Sequence, residues 1–238
     1  MEIYWYYFNI KLNFYNMWGP NMKNIKIVVV IHKQLTAREI LNEDSWRSSY
    51  NYFNEGKRNN GIYFYTYNKS TIPYYIGICA SKSYNILGRV WTELNDYRNG
   101  RYYLPTEPDR LSTLECFKNG ISPETFFIPG SFSKDDKSYQ DALNTMLDNT
   151  RVIFSYLEMN PQADYSKIKH IIYNIEALFQ KNIVDAMDLH PKWIDGEGNG
   201  FALEPLFNYT VDFAYEKPEL KAILNTELLL GRKRLHQS

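Results

Sequence analysis

Between residues 61 and 79 the side chains alternate with the period of a strand. The run Gly61-Ile62-Tyr63-Phe64-Tyr65-Thr66-Tyr67 is followed by polar Asn68-Lys69-Ser70 and then by Tyr74-Tyr75-Ile76-Gly77-Ile78-Cys79. β-Branched and aromatic residues suit a pleated backbone and the polar residues between them form turns, so the stretch predicts two strands. A period of two puts Ile62, Phe64 and Thr66 on one face and Tyr63, Tyr65 and Tyr67 on the other. On the second strand Tyr75, Gly77 and Cys79 share a face, opposite Tyr74, Ile76 and Ile78. With Ile62, Phe64, Ile76 and Ile78 in the core, Tyr63 and Tyr75 stand together on an open face. The glycine beside them admits a close ligand.

The period then becomes helical. Leu87, Val90, Trp91 and Leu94 fall at i, i+3, i+4 and i+7, which predicts a helix over 84–97, capped near Ser81-Lys82-Ser83 and stopped by Asn99-Gly100. Arg89 lies about 200° around that helix from Leu87 and shares the outward face with Glu93. There it either forks a phosphate or makes a solvated pair with Glu93 worth roughly 0.3–0.5 kcal/mol. A longer amphipathic stretch, 163–184, aligns Ile168, Ile172, Ile175, Phe179 and Ile183 as a buried stripe. Glu176 sits on its rim, about 40° from Ile172. A carboxylate there is either simply solvated or held by a cation or hydrogen-bond partner.

The remaining pattern is simpler. Residues 27–31 (Ile-Val-Val-Val-Ile) form a strand-like run, and Thr36 with Glu39 matches a capping box opening a helix to about Asn54, its apolar side Ile40, Leu41, Trp46 and Tyr50. Gly56 to Asn60 is a polar breaker. Residues 125–128 are strand-like, 138–147 helix-like, and 152–157 supply a third core strand. Residues 218–230 predict a terminal helix, and 231–234 (Gly-Arg-Lys-Arg) a basic tail that meets either phosphate or solvent.

Composition changes this picture in three places. With 238 residues, 44% of them hydrophobic, the chain has the material for one domain with elaborations. The expected division is an extension at 1–21, a strand and helix at 22–58, a main domain at 59–205 with an insertion at 101–150, and a C-terminal helix and tail at 206–238. The balance of 27 basic and 27 acidic residues gives no overall basic field, so any nucleic-acid contact needs a local positive patch. The two cysteines, Cys79 and Cys116, show no metal-type spacing and suit a reducing, cytoplasmic setting. Residues 1–21 are aromatic but interrupted by Lys11 and several asparagines, unlike a signal peptide or a bilayer span. Asp188, His190 and Asp195 lack the spacing of a metal cluster.

Gly61-Ile62-Tyr63 followed by Tyr75-Ile76-Gly77 resembles the GIY-YIG nuclease family, over about 59–104 and 150–200. The resemblance implies an α+β fold built on a small three-stranded antiparallel sheet flanked by helices. It also implies DNA as substrate and Mg²⁺ or another divalent cation such as Mn²⁺ as cofactor, with no membrane. Carried onto this chain, the catalytic set is Tyr63, Tyr75, Arg89 and Glu176. Glu176 holds the metal, Arg89 neutralises the phosphoryl group, Tyr63 accepts the proton of the attacking water, and Tyr75 places that water. Gly77, Glu93, Arg98, Arg101 and, on the turn at 196–200, Asn199 are the expected substrate contacts. Glu93 stands where many members carry histidine. The insertion at 101–150 is a natural place for target recognition or for padding. Two further classes stand beside the nuclease: a nucleic-acid-binding module that has lost catalysis, and an interaction protein whose motif tyrosines only pack.

The interrupted pattern of residues 1–21 makes them dispensable. A chain beginning at Met22 is expected to keep the parental melting temperature, and a large drop in a thermal scan would show that the segment is packed.

Overall fold

Every position of the tyrosine strand except its last is buried, on both faces. In this computed structural model the described residues are 25–81, 85–101, 104–105, 127–128, 135, 137–160, 165–187 and 209–232. In chain order the strands are β1 (Ile25–Thr36), β2 (Gly61–Tyr67), β3 (Pro73–Cys79), β4 (Leu104–Pro105), β5 (Phe127–Ile128), β6 (Thr150–Asn160) and β7 (Tyr209–Tyr215). The helices are α1 (Ala37–Leu41), α2 (Glu43–Asn54), α3 (Ile86–Arg98), α4 (Lys137–Asn149), α5 (Tyr165–Met187) and α6 (Thr226–Leu229). The expectations for residues 1–21 and Asn199, and most of the insertion, fall outside the described residues.

The class is α+β, but the sheet is larger than expected. Its order is β3-β2-β6-β1-β7, five strands instead of three. β2 pairs antiparallel with both β3 and β6, and β1 continues antiparallel from β6. β7 then lies parallel to β1, so the sheet is mixed. A two-residue β4–β5 ladder stands apart.

Alternation along β2 feeds two cores. Ile62 and Phe64 join Ile27, Val29, Ile31, Ile76 and Ile153 beneath α5, whose Ile172, Ile175, Phe179 and Ile183 pack there as the helical stripe requires. Tyr63 and Tyr65 join Val152, Phe154 and Cys79 on the other face, under Ile40, Phe53, Leu87, Val90, Leu94, Leu143 and Leu147 of α1 to α4. The open tyrosine face expected from the pattern is therefore covered. A tyrosine contributes mostly ring area to burial, so it satisfies a core as well as a surface. Each fully buried Ile or Phe adds about 1.5–3 kcal/mol relative to exposure.

Local chemistry sets the element ends. Thr36 and Glu39 form the capping box, but the helix breaks at Asn42, whose extended backbone caps a second helix by accepting from Ser45 N. The C-terminal stretch is also split, into a 3₁₀ turn at Pro218–Ala222 and α6, with Asn225 as the new cap. The basic tail begins in ion pairs: Arg232 meets Asp212 at 2.7 Å and Glu227 at 3.8 Å. Among the described residues no helix is long and apolar enough to cross a membrane.

β1 carries an irregularity between Ile31 and Lys33 in its pairing with β6, and the residue left out of register is His32. Its ring is 1% exposed and lies among Tyr52, Phe53, Phe154 and Tyr156. Nδ1 is 3.1 Å from the Tyr52 hydroxyl, while Nε2 has no hydrogen-bond partner among the described residues. Burial, reinforced by Arg58 and Lys33, pushes the imidazole from 6.5 down to about 3. It folds neutral, so below the unfolded value the unfolded chain binds a proton that the fold excludes. Stability should therefore fall by about 1.4 kcal/mol per pH unit from roughly pH 6.5 to pH 5, where carboxylates begin to titrate. Urea denaturation across that window checks this, and His32→Phe should remove the slope.

Candidate active site

The β2–β3 register places Tyr63 opposite Gly77 and Tyr65 opposite Tyr75. An added Cβ on Gly77 would run into the Tyr63 ring, so the glycine makes room for the phenol that crosses it. On Gly61 it would run into the Ser155 backbone of β6, so both motif glycines answer to close approach. The Tyr63 and Tyr75 ring centres are 6.2 Å apart, and those of Tyr65 and Tyr75 5.1 Å.

α3 lies over these rings. It starts at Asn85, which accepts from Gly88 N at 2.8 Å, and closes at Asn99 with Gly100 at φ 67°. Ile86, Leu87, Val90 and Leu94 are buried, and so is Glu93. The outward face expected for Arg89 and Glu93 is thus turned toward the sheet. The reason is Ile86: it extends the apolar stripe to within about 20° of Glu93 in projection, which a stripe drawn from Leu87 alone leaves out.

One carboxylate gathers the cluster. The Tyr63 hydroxyl donates to Glu93 Oε1 at 2.6 Å, the Tyr65 hydroxyl to Oε2 at 3.1 Å and the Tyr75 hydroxyl to Oε1 at 3.4 Å. Arg89 Nη2 stands 2.8 Å from Oε1. This is not a solvated surface pair: the Glu93 side chain is 5% exposed and that of Arg89 36%. Burial raises the Glu93 carboxyl above the ordinary range, opposed by Arg89 and the three phenols. Burial likewise pushes Tyr63 and Tyr65 far up, reinforced by Glu93 and the neighbouring phenols. For Tyr75 burial leads again, followed by the charges of Glu93 and Glu176, with Arg89 acting the other way.

Glu176 therefore belongs to the same electrostatic site, although α5 covers the isoleucine face of the sheet. β3 is an edge strand, so among the described residues no further strand separates the two faces beside Tyr75. Glu176 itself is partly buried. Tyr63, Tyr75, Gly77, Arg89 and Glu93 are thus brought to one place, and the charge of Glu176 reaches Tyr75. Arg98 is exposed on the last turn of α3, and Arg101 pairs with Asp96 at 2.9 Å. Cys79, a buried thiol that donates to Asn60 Oδ1 at 3.8 Å and is pushed up to about 11 by burial, is no nucleophile.

Tyr65, the third phenol on Glu93, is the site member that motif reading passes over. Its signal was the two-residue period shared with Tyr63. Among the described residues no group of three or more His, Cys, Asp or Glu is disposed to hold a metal. Comparison with protein-family models, with curated proteins and with solved structures gives no match.

Gly77→Ala should lower the melting temperature and disturb the site together, because the Tyr63 ring has nowhere to go. A loss of about 1–3 kcal/mol in chemical denaturation is expected, with a changed near-ultraviolet tyrosine signal.

Proposed function

We propose that this chain is a metal-dependent DNA endonuclease of the GIY-YIG type, hydrolysing phosphodiester bonds. One observation carries the reading: Tyr63, Tyr75 and Arg89, from three separate elements, converge on one point whose charge balance includes Glu176. A partly exposed guanidinium beside phenols is the donor set that a phosphate oxygen needs. Arg89 has five N–H donors, more than Glu93 and Tyr63 engage, and a planar fork so held is oriented in advance for a second anion.

The residues fit a hard divalent cation in a limited way. Both Glu93 oxygens already accept from phenols or Arg89, and Glu176 is the carboxylate that the motif assigns to the metal. Mg²⁺ is commonly held by one or two carboxylates, waters and substrate phosphate, so Glu176 alone is an adequate protein share. When bound, Mg²⁺ or Mn²⁺ would polarise a phosphate oxygen and stabilise the leaving oxygen. The chain's own part is to grip the phosphate through Arg89, hold the phenols in register through Glu93, and keep the site partly dry beneath α3.

Plasmid DNA with and without Mg²⁺ tests the reading. Nicking only with metal supports the endonuclease, and binding without nicking supports a module of the same fold that has lost catalysis. Glu176→Gln should fold and bind DNA, yet lose metal-dependent cleavage by a factor on the order of a hundred or more, as for one strong transition-state contact. Cleavage at the parental rate would move the metal to another carboxylate.

A further inference from the structure

We propose that Tyr75 and Glu93 are the proton-accepting couple of this site: Tyr75 takes the proton of the attacking water and passes its own to the Glu93 carboxylate. This rests on the phosphodiesterase reading and reassigns within it the role that the motif gives to Tyr63.

Burial decides which phenol meets water. Tyr63 is 0% exposed and Tyr65 1%, and both hydroxyls end on Glu93 in the interior. Tyr75 is partly buried on the edge strand and feels the charges of both Arg89 and Glu176. Of the three phenols Tyr75 has the most exposed surface, so water reaches it before either of the others.

Hydrogen-bond direction decides where the proton ends. An ionised carboxylate only accepts, and its two oxygens offer about four lone-pair sites. Tyr63, Tyr75 and Arg89 crowd Oε1, and Tyr65 alone engages Oε2. A phenolate formed in this cluster would face a carboxylate in a poorly solvated place, so like charges oppose it. Protonating Glu93 instead removes the buried negative charge, and burial already favours the neutral acid. The groups facing Glu93 are Tyr63 and Tyr65 of β2, Tyr75 and Cys79 of β3, and Arg89 of its own helix. Arg89 stays charged throughout.

The step balances without a further reagent. The water O–H bond breaks as its oxygen bonds to phosphorus, and that proton goes to Tyr75 Oη. The original Tyr75 O–H bond breaks and its proton goes to Glu93 Oε1, across the longest of the three phenol contacts, 3.4 Å. The bond from phosphorus to the leaving alkoxide breaks, and the alkoxide takes a proton from bulk water. Glu93 then returns its proton to solvent through Tyr75. Tyr63 and Tyr65 are positioning residues that hold the carboxylate still.

Single-turnover cleavage with Mg²⁺ is to be paired with an isotope-edited NMR titration of the glutamate carboxyls in the intact protein. Tyr75→Phe and Glu93→Gln should each slow cleavage about a hundredfold or more, and the double variant no further than the slower single, as for residues acting as one unit. Tyr63→Phe should cost less than about tenfold, below the range of a lost acid–base group, and keep the native pH profile. The Glu93 resonance should titrate above the ordinary carboxylate range and move higher in Tyr75→Phe, a readout that stands even if Glu93→Gln fails to fold. Equal losses from Tyr63→Phe and Tyr75→Phe, additive losses in the double variant, or a Glu93 resonance indifferent to Tyr75 would overturn the couple. A native protein that shows the NMR coupling but cuts no DNA with metal would overturn the phosphodiesterase reading alone.

Discussion

A single negative charge beneath a sheet-covering helix is the constraint on which this structure turns. Glu93 is almost wholly removed from water, and an unpartnered carboxylate there would cost several kcal/mol. Three phenols and Arg89 offset that cost, and each must come from a fixed place: two from β2, one from β3 and one a helical turn back on α3. Satisfying the charge thus fixes the strand register, the rotation of α3 and the tilt of three rings at once. A buried polar network that is complete specifies one arrangement, whereas an apolar core of the same volume tolerates several.

The same arithmetic explains the two-faced sheet. β2 has pairing neighbours on both sides and is covered above and below, so its alternation separates two kinds of core in place of core and solvent. Isoleucine and phenylalanine meet α5 on one side, and tyrosines meet α1 to α4 on the other. The second side gathers three phenols on one carboxylate, and Glu93 there is 4% exposed.

Much of this was legible in the chain. The hairpin at 61–79, the helix carrying Arg89, the strand at 152–157 and the stripe on α5 all follow from local period, although the strands bury both faces where the pattern suggested one. Long-range pairing was not legible. β7 has its own alternation of Tyr209, Val211, Phe213 and Tyr215, yet nothing nearby in sequence says that it will lie beside β1. Glu93 is a comparable case: helical geometry puts it next to Ile86, but the charge argued for solvent, and only the tertiary supply of donors reverses that. Asn42 shows the limit at small scale, since a residue that can continue a helix also makes a good cap and here caps.

The parallel pairing of β1 with β7 has a bearing on how the chain assembles. It joins Ile25 to Tyr209, residues at nearly opposite ends of the described chain. Contacts of such separation are late events, because the intervening loop must close before they are rewarded. The β2–β3 hairpin and α3, all within 61–98, can come together during synthesis as soon as they have left the ribosome. α5, which brings Glu176, follows more than 60 residues later, and β7 later still. The edge of β1 stays bare until that last strand arrives. A nascent chain of this architecture therefore holds its tyrosines and arginine well before its second carboxylate, so that the order of translation itself delays the completed site.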